Sequence, residues 1–357
     1  MPRILSVSTC EFPFKSGQNE LKRFSKEMFG PEYEDINRLL DSYDNAEITE
    51  RNLCVPVEFF KEKKSFSERN NLYIKNVLKY SVEVINDALS KSGIGKDKIT
   101  DIVFVSSTGI STPSIDALLI NEMKLNPYIN RIPVWGLGCA GGVSGLSKVF
   151  VIAKANPDAV ILLLAAELCS LTFIKNDLSK SNLIAAGLFS DGISAVITAG
   201  RNISSQSCRH EIEIINSQSR LYYDSLNVMG WDIIDSGFKV IFSRDIPSIV
   251  NSKIKEDIDA FLHKNNLRLP YIKNFIVHPG GKKVIEAYEK ALGINPVRFA
   301  NTRKVLRENG NMSSATVLYV LNEFIDGGFE NGYGLMMSLG PGFSSEMLLL
   351  KMKNEQS

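Results

Sequence analysis

The 357-residue chain lacks several features that would place it in a class at once. Its formal net charge is only +1, from 41 basic and 40 acidic residues, so it has no basic excess of the kind that binds nucleic acid. Its longest apolar run, VILLLAA at 160–166, is far below the ~20 residues that a membrane-spanning helix needs. The N-terminus, MPRILSVSTCEF, has no apolar run behind a basic segment, which argues against a secretory signal. We therefore expect a cytoplasmic protein with no integral membrane segment and no nucleic-acid partner.

Cysteine and histidine are scarce. The five cysteines follow no disulfide or metal-ligand spacing, and we expect reduced thiols and no metal site. These cysteines are Cys10, Cys54, Cys139, Cys169 and Cys208. Of the three histidines, His210 and His263 lie in charged surroundings and are expected at the surface.

Strands and helices alternate in a pattern that occurs twice, which predicts an α/β fold. The first copy has strands at 102–107, 132–137 and 160–166 and helices at 116–123 and 143–155. The second has strands at 274–279 and 334–339 and helices at 283–292 and 313–324, with a linker between the helices. We expect 24–91 to be mostly helical, because apolar residues recur at helical spacing near its end. Shorter strands and turns are expected over 197–245.

One cysteine stands in a glycine-rich turn, GLGCAGG, directly before a predicted helix. At the positive end of a helix dipole, the pKa of the Cys139 thiol is expected to fall. The glycines are expected to let a substrate carbonyl reach backbone N–H groups, which can form an oxyanion hole. The alternative is a buried structural cysteine.

His278 and Asn311 are the candidate partners of this thiol. His278 ends an apolar strand and precedes Pro-Gly-Gly, at the strand end where α/β folds place ligand contacts. Asn311 occupies the place of Cys139 in the second copy of the repeat. A helix N-cap is an equally sufficient explanation for Asn311 on its own.

Four motifs in order, GLGCAGG, VHPGGKKVIEAYEKALG, ENGNMSSATVL and SLGPGF, resemble those of the type III polyketide synthases, the chalcone-synthase-like family. The segments SSTGISTPSID, RIPVWGLGCAGG, AELCSLTF and KSNLI are similar to the bacterial alkylpyrone synthases. The resemblance implies a thiolase-like fold with a duplicated αβαβα architecture. We place the halves at residues 1–220, which carry the nucleophilic cysteine, and 221–357, which carry the histidine and asparagine.

The resemblance also implies a Cys139–His278–Asn311 triad that uses acyl-CoA and malonyl-CoA as substrates and needs no cofactor. The Cys139 thiolate, paired with imidazolium His278, would accept the starter acyl group. Malonyl-CoA would then lose CO₂, and His278 and Asn311 would donate hydrogen bonds to the enolate oxygen. The enolate would attack the thioester, so no carboxylate base is required.

Further positions carry over from the same resemblance. It implies Phe189 and Val240 at the mouth of the cavity. The alignment at the second of these positions stays open, because Phe238 and Phe242 are neighbours of Val240. Cavity-lining positions are implied for Cys169, Thr172, Ser107, Thr108 and Ser313. Thr112, before a cis Pro113, is implied to reach across a homodimer interface. Among the positions that are basic in the family and bind the CoA phosphates, only Arg38 keeps a positive charge in this chain. Arg51 and Lys304 are further candidates for phosphate contacts, without a supporting motif. Ordinary packing is the alternative for each.

A valine at position 240, with Cys169 and Thr172 on the wall, leaves room for a long-chain fatty acyl-CoA starter. The resemblance to the alkylpyrone synthases implies the same kind of starter and alkylpyrone-type products. Short or aromatic starters remain alternatives, and pyrone or resorcinol ring closure stays open. A ketoacyl-ACP synthase III-like enzyme would have Gln-Ala-Asn after its histidine. A papain-like protease would show a different cysteine signature. A non-enzymatic thiolase-fold protein would have lost a member of the triad.

Overall fold

The structure is a computed structural model that describes residues 1–204, 210–243 and 245–354. Cys208 therefore lies outside the described residues. Within them, no helix combines the length and apolar character needed to cross a bilayer. The same ranges contain no cluster of three or more His, Cys, Asp or Glu side chains that could hold a metal ion.

The described elements alternate as the repeat predicts. The strands are β1 (Arg3–Thr9), β2 (Phe14–Gly17), β3 (Glu50–Leu53), β4 (Asp101–Val105), β5 (Asn130–Val134), β6 (Val160–Leu168), β7 (Asp191–Ala199), β8 (His210–Leu221), β9 (Met229–Ile234), β10 (Gly237–Phe242), β11 (Ile272–Val277), β12 (Gly332–Gly340) and β13 (Ser344–Asn354). The α-helices are α1 (Gln18–Phe29), α2 (Ile36–Asp44), α3 (Phe66–Ser92), α4 (Ile115–Met123), α5 (Gly141–Ala155), α6 (Lys180–Leu188), α7 (Ile246–Lys264), α8 (Lys282–Leu292), α9 (Ala300–Asn309) and α10 (Thr316–Gly327). Three 3₁₀ turns, Gly138–Ala140, Cys169–Thr172 and Ser313–Ala315, matter for the site.

The described strands form one large sheet in the order β11-β12-β13-β8-β1-β7-β6-β4-β5 and two small hairpins, β2–β3 and β9–β10. The two halves of the large sheet meet where β1 pairs with β8 at only two positions, Arg3 and Ile4. Each half is covered by helices on both faces.

The layers follow from the period of two along each strand. On β6, Val160, Leu162, Leu164 and Ala166 face an outer core with α3, while Ile161, Leu163 and Ala165 face a central core. In the second half, Met336 of β12 joins the central core, and its neighbours Leu335 and Met337 join an outer core with α7 and α8. Helices α5 and α10 lie in the central core between the half-sheets. This helix–sheet–helix–sheet–helix layering is the thiolase-like architecture that the motifs implied.

The glycines beside Cys139 allow this central layer to pack closely. A Cβ at Gly142 would lie 2.3 Å from the Ser314 carbonyl oxygen, and one at Gly141 would lie 2.6 Å from Val105 Cγ1. Real Cβ atoms do not approach that closely, so glycine is required where the two halves meet. The glycines beside Cys139 therefore have a packing role that the sequence interpretation did not assign to them.

The predicted helices and strands of the repeat are confirmed, with shifts of a few residues at their ends. The segment 24–91 is mostly helical as expected, although it includes the short strand β3. One expectation needs correction, because the linker after α8 contains α9. The expected boundary between 220 and 221 falls inside β8. Since β8 pairs with β13 along its length, we propose to place β8 with the second half.

Candidate active site

The three predicted catalytic residues come from loops at the ends of different elements, and they line one cavity. Cys139 lies in the 3₁₀ turn before α5, His278 directly follows β11, and Asn311 lies between α9 and the turn that precedes α10. The exposed fraction of each side chain is 7% or less. The fold thus brings together residues that are up to 172 positions apart.

Asn311 is the hub of the contacts in this cavity. The Cys139 Sγ–H donates to Asn311 Oδ1 across 3.9 Å, and the Ser313 amide donates to the same oxygen across 2.9 Å. Asn311 Nδ2 donates to the Gly280 carbonyl across 3.2 Å. Asn311 is not a helix N-cap, because Met312 and Ala315 occupy those positions. Its side-chain oxygen nevertheless accepts from the Ser313 amide, so the same side chain holds this turn and contacts the thiol.

His278 offers both ring nitrogens to whatever enters the cavity. Its backbone N–H donates to the Met337 carbonyl at 2.9 Å, which fixes the residue at the strand end. Its Nδ1 and Nε2 are buried, and neither has a hydrogen-bond partner among the described residues. Burial lowers the pKa of His278 from 6.5 to about 3, so the free site holds a neutral imidazole.

The expectation of a lowered thiol pKa is wrong for the unliganded site. Burial raises the pKa of Cys139 from 9.0 to about 12, despite an opposing hydrogen bond from Ser313. Loss of hydration outweighs the field of the helix that begins two residues later. The resting pair is therefore a thiol and a neutral imidazole.

The backbone around Cys139 is also more occupied than expected. The Gly138 N–H donates to Ser107 Oγ across 3.0 Å, so it is not free to stabilise an oxyanion. The Ala140 N–H donates to the Leu137 carbonyl at 3.0 Å. The backbone N–H of Cys139 donates a hydrogen bond to the Sγ atom of the same residue.

A buried carboxyl group that the sequence interpretation missed lies beneath the cysteine turn. Glu167 accepts hydrogen bonds from the Ser107 amide at 3.0 Å, the Thr108 hydroxyl at 2.8 Å and the Ser314 hydroxyl at 2.5 Å. It therefore links the loop after β4 to the turn before α10. The polar atoms of Ser107 and Thr108, for which the resemblance implied cavity-lining positions, take part in this network through Glu167, Gly138 and Leu168.

Full burial dominates the charge state of Glu167. It raises the pKa of this carboxyl from 4.5 to about 7, although all three hydrogen bonds favour the carboxylate. No sequence motif announced the residue. The only signal was a charged residue at the end of an apolar strand, AAEL, which is an unusual place for an unpaired acid.

Two further cavities, which we name the middle and the deep cavity, are linked to Cys139 through shared wall residues. A middle cavity of about 30 Å³ is lined by Cys139, Cys169, Phe189, Val240 and Ser313. A deep cavity of about 50 Å³ shares Cys169, Phe189 and Val240 with it and adds Thr172. The predicted wall residues Phe189, Val240, Cys169, Thr172 and Ser313 thus lie on these cavities.

The β9–β10 hairpin forms one wall of both cavities. Residues on one face of the hairpin point inward, since side chains alternate along each strand. These are Met229, Trp231, Phe238, Val240 and Phe242. Trp231, which the sequence interpretation missed, lies directly opposite Val240 in the ladder. The Phe189 ring lies 6.1 Å from the Trp231 ring and 6.5 Å from the Phe242 ring.

Of the remaining predicted residues, Thr112, Arg38 and Lys304 lie away from these cavities, and Arg51 lines the deep cavity. Thr112 is exposed, and the Thr112–Pro113 bond is cis as expected. Arg38 is exposed on α2. Arg51 cannot serve as a surface cation, because it is buried and donates to the carbonyls of Ala186 and Phe189. Lys304 is paired with Glu323 at 2.6 Å.

The fold and the site together define a thiolase-like condensing enzyme, and comparison with known proteins narrows the class. The chain matches the family models "Chalcone and stilbene synthases, N-terminal domain" over residues 47–201 and "Chalcone and stilbene synthases, C-terminal domain" over residues 213–353. The chain belongs to this family. It is a type III polyketide synthase, an acyltransferase that catalyses decarboxylative condensation.

Individual relatives support the same class. The chain is 45% identical to a candidate chalcone synthase of Bacillus subtilis (strain 168), with 98% of both chains covered. It is 31% identical to 1,3,6,8-tetrahydroxynaphthalene synthase of Streptomyces peucetius subsp. caesius, over 98% of this chain and 92% of that one. The crystal structure of 1,3,6,8-tetrahydroxynaphthalene synthase from Streptomyces coelicolor A3(2) matches with a TM-score of 0.93 at 26% identity, covering 99% of each chain.

Proposed function

We propose that the protein loads a long-chain fatty acyl group from acyl-CoA onto Cys139, extends it with malonyl units from malonyl-CoA, and releases alkylpyrone-type products. One observation carries the choice of starter. The middle cavity at Cys139 shares Cys169 and Phe189 with the deep cavity, whose wall is mostly apolar. The far wall of the deep cavity consists of Leu21, Phe24, Leu53, Phe60 and Phe173. Such a wall favours an alkyl chain, at ~0.8 kcal/mol for each methylene buried.

Loading requires the thiol to lose its proton inside a dry cavity. Burial disfavours a lone thiolate and a lone imidazolium alike. Transfer of the Cys139 proton to His278 creates both charges together without changing the net charge, and their mutual attraction offsets part of the desolvation cost. We therefore place ionisation at the moment when acyl-CoA fills the cavity. The thiolate attacks the thioester carbonyl, and CoA leaves as its thiol.

Extension uses the same residues in a different role. Malonyl-CoA loses CO₂, and the electron pair of the broken C–C bond forms an enolate. His278 and the Nδ2–H of Asn311 donate to the enolate oxygen. The enolate carbon attacks the Cys139 thioester and the thiolate leaves. The extended chain, now a CoA thioester, is transferred back to Cys139 with release of CoA, and the next cycle begins.

We also propose a homodimer and a CoA site near α2. Thr112 is exposed in the single chain, and it would meet a cavity only on a partner subunit. Arg38, exposed and without a carboxylate partner among the described residues, is the proposed contact for the CoA phosphates.

The test is a product assay with purified protein, labelled malonyl-CoA and starters from acetyl-CoA to stearoyl-CoA, plus a cinnamoyl-type CoA. Mass spectrometry of the products should show alkylpyrones from the long-chain starters. Products only from short or aromatic starters would contradict the choice of starter and leave the chemistry standing. Activity that needs an acyl carrier protein would favour the ketoacyl-ACP synthase III-like alternative.

Acyl loading is a separate test of the nucleophile. Without malonyl-CoA, intact-protein mass should increase by one acyl group, and Cys139→Ala should abolish the increase. Cys169→Ala is the matched control, because Cys169 lies on the same cavity and should not be needed for the adduct. An adduct that persists in Cys139→Ala would disprove the assignment.

A further inference from the structure

Arg51 is a fully buried cation on the wall of the deep cavity. Its Nη1 donates to the Ala186 carbonyl and, across 3.0 Å, to the Phe189 carbonyl at the end of α6. Its Nε and Nη2 are buried as well, and neither has a hydrogen-bond partner among the described residues. Because a buried donor without an acceptor is costly, an acceptor that reaches this guanidinium from the cavity would be bound firmly.

The guanidinium keeps its charge in this environment. Burial lowers the pKa of Arg51 from 12.5 to about 10, against the opposing effects of Tyr43 and Asp191, so the group is cationic at neutral pH. The oxygens of Asp191 instead accept from the Ser170 amide at 2.8 Å, the Ser170 hydroxyl at 2.7 Å and the Cys54 amide at 2.7 Å. Asp191 therefore offsets the charge of Arg51 without using its free donors.

An unused acceptor lines the same cavity. Asn182 of α6 is buried, and its Nδ2 donates to the Ile174 carbonyl at 2.9 Å and to the Asp177 carbonyl at 2.7 Å. These bonds fix the amide, and its Oδ1 accepts no hydrogen bond from any residue that the structure describes. Asn182 lies one helical turn before Ala186, whose carbonyl Arg51 binds. The free donors and the free acceptor therefore lie at the same side of α6.

These polar groups decide what the deep cavity can hold. At rest it measures about 50 Å³, room for a few water-sized groups at ~10–15 Å³ each, so a long chain widens it and comes against this wall. A plain alkyl chain leaves both groups unsatisfied. A hydroxyl group satisfies both, because its oxygen accepts from Arg51 and its proton is donated to Asn182 Oδ1. A carboxylate can only accept, and it would be repelled by Asp191 and by Asn182 Oδ1.

We propose that the deep cavity selects a fatty acyl starter that carries a hydroxyl group on its distal part, held between the guanidinium of Arg51 and Oδ1 of Asn182. This inference rests on the proposed function, since it assumes that the acyl group is loaded on Cys139. It names the chemical class of the preferred starter, a hydroxylated long-chain acyl-CoA. Unsubstituted chains still load, but they leave the two polar groups without partners.

The first test compares starters from ω-hydroxyhexanoyl-CoA to ω-hydroxypalmitoyl-CoA with unsubstituted acyl-CoA of the same lengths. Loading of Cys139 is followed by intact-protein mass without malonyl-CoA. At the length that reaches the two polar groups, the hydroxylated starter should load faster by about tenfold or more, as expected for a hydrogen bond from a charged donor. At shorter lengths it should load more slowly, because its hydroxyl is buried without a partner. A hydroxylated series that never loads faster would overturn the inference.

A second series separates a hydroxyl site from an anion site. It consists of the mono-CoA thioesters of dicarboxylic acids of the same lengths. These starters should load no faster than the unsubstituted chains, because Asp191 already offsets the charge of Arg51. Fastest loading by the dicarboxylic thioesters would overturn the choice of a hydroxyl group.

Substitution of the arginine tests the contact itself. Arg51→Met should abolish the preference for the hydroxylated starter. Arg69→Met is the matched control, because Arg69 is also buried and donates to the carbonyls of Leu171 at 3.0 Å and Phe173 at 2.8 Å, but does not line the deep cavity. It should keep the wild-type ratio. If Arg51 had only a structural role, Arg51→Met would slow all starters alike and leave the ratio unchanged, which would overturn the inference.

The two hypotheses fail in distinguishable ways. A wild-type enzyme that loads no acyl-CoA would overturn the proposed function and this inference with it. Loading of unsubstituted long chains with no preference for a hydroxyl group at any length would overturn only this inference. If Arg51→Met does not fold, the wild-type series still decides, and Arg51→Lys, which keeps the charge with fewer donors, should lower the ratio.

Discussion

The backbones of Phe189 and Asn311 are joined as a parallel bridge. The Ser190 amide donates to the Asn311 carbonyl at 2.9 Å, and the Asn311 amide donates to the Leu188 carbonyl at 3.0 Å. One residue belongs to the first half of the fold and the other to the second. The bridge therefore fixes Phe189, a wall residue of the middle and deep cavities, relative to Asn311, whose side chain contacts Cys139.

Asn311→Ala should preserve acyl loading and slow the decarboxylation of malonyl-CoA by ~10²–10³-fold, because it removes one donor to the enolate. Loading is measured by intact mass, and decarboxylation by release of labelled CO₂. Asn311→Asp is the matched variant. It keeps an oxygen for the Ser313 amide and loses the Nδ2–H donor. If Asn311→Asp retained both steps, Asn311 would have only a structural role in this turn.

Glu167 should make folding stability depend on pH between about 4.5 and 7. In this window the folded carboxyl keeps a proton that the unfolded one has lost. Stability should fall as pH rises, by at most about 1.4 kcal/mol per pH unit from this residue.

Glu167→Gln should remove that slope. The free energy of unfolding of the variant should therefore increase relative to that of the wild type as the pH rises from 5 to 8. The glutamine can still accept from Ser107 and Thr108 and can donate to Ser314. Urea unfolding across this range measures the difference. Parallel stability curves for the two proteins would mean that the carboxyl group is ionised in the folded state.

His278 should also make folding stability depend on pH, with the opposite sign. Between pH 6.5 and about 3 the unfolded chain protonates this imidazole and the folded chain does not. Its contribution to stability is present above pH 6.5 and is lost as pH falls, by at most about 1.4 kcal/mol per pH unit. His278→Gln should therefore unfold less steeply with acid. An unchanged acid slope in urea unfolding would argue for a charged imidazole in the resting site.

Gly142→Ala should destabilise the protein by about 3 kcal/mol or more, since the new Cβ would collide with the Ser314 carbonyl at 2.3 Å and with Val317 Cγ1 at 2.8 Å. Gly327→Ala is the control. A Cβ at Gly327 meets nothing within 4 Å, and the change should be within about 1 kcal/mol of neutral. Equal urea midpoints for the two variants would show that the central layer can yield.

Local patterns predicted much of the fold. The continuous apolar run of β6 and the helical spacing along α3 each involve only a few neighbouring residues, and the structure confirms the strand and the helix that they predicted. Strand β3 within 24–91 was missed, because ERNL is short and polar and becomes a strand only by pairing with β2. Its register comes from a partner some 35 positions away.

The site divides in the same way. Cys139, His278 and Asn311 were found from motifs, because each stands in an unusual local sequence. Trp231 has no such signal, and the only signal for Glu167 is an acid at the end of an apolar strand. Glu167 is important because three donors from distant loops converge on it. Trp231 is important because the β9–β10 hairpin places it beside Val240 on the wall of the cavities.

The sequence by itself thus determined the alternation of strands and helices and the duplicated αβ unit, since these follow from residue types at short spacing, and its motifs marked the three residues of the predicted triad. Only the tertiary structure decided the charge state of the site and the shape of its cavities. Burial governs both. It keeps Cys139 as a thiol and His278 neutral, it holds a proton on Glu167, and it places an indole where the sequence suggested open space. Desolvation depends on every chain segment that surrounds a group, and no local stretch of sequence contains that information.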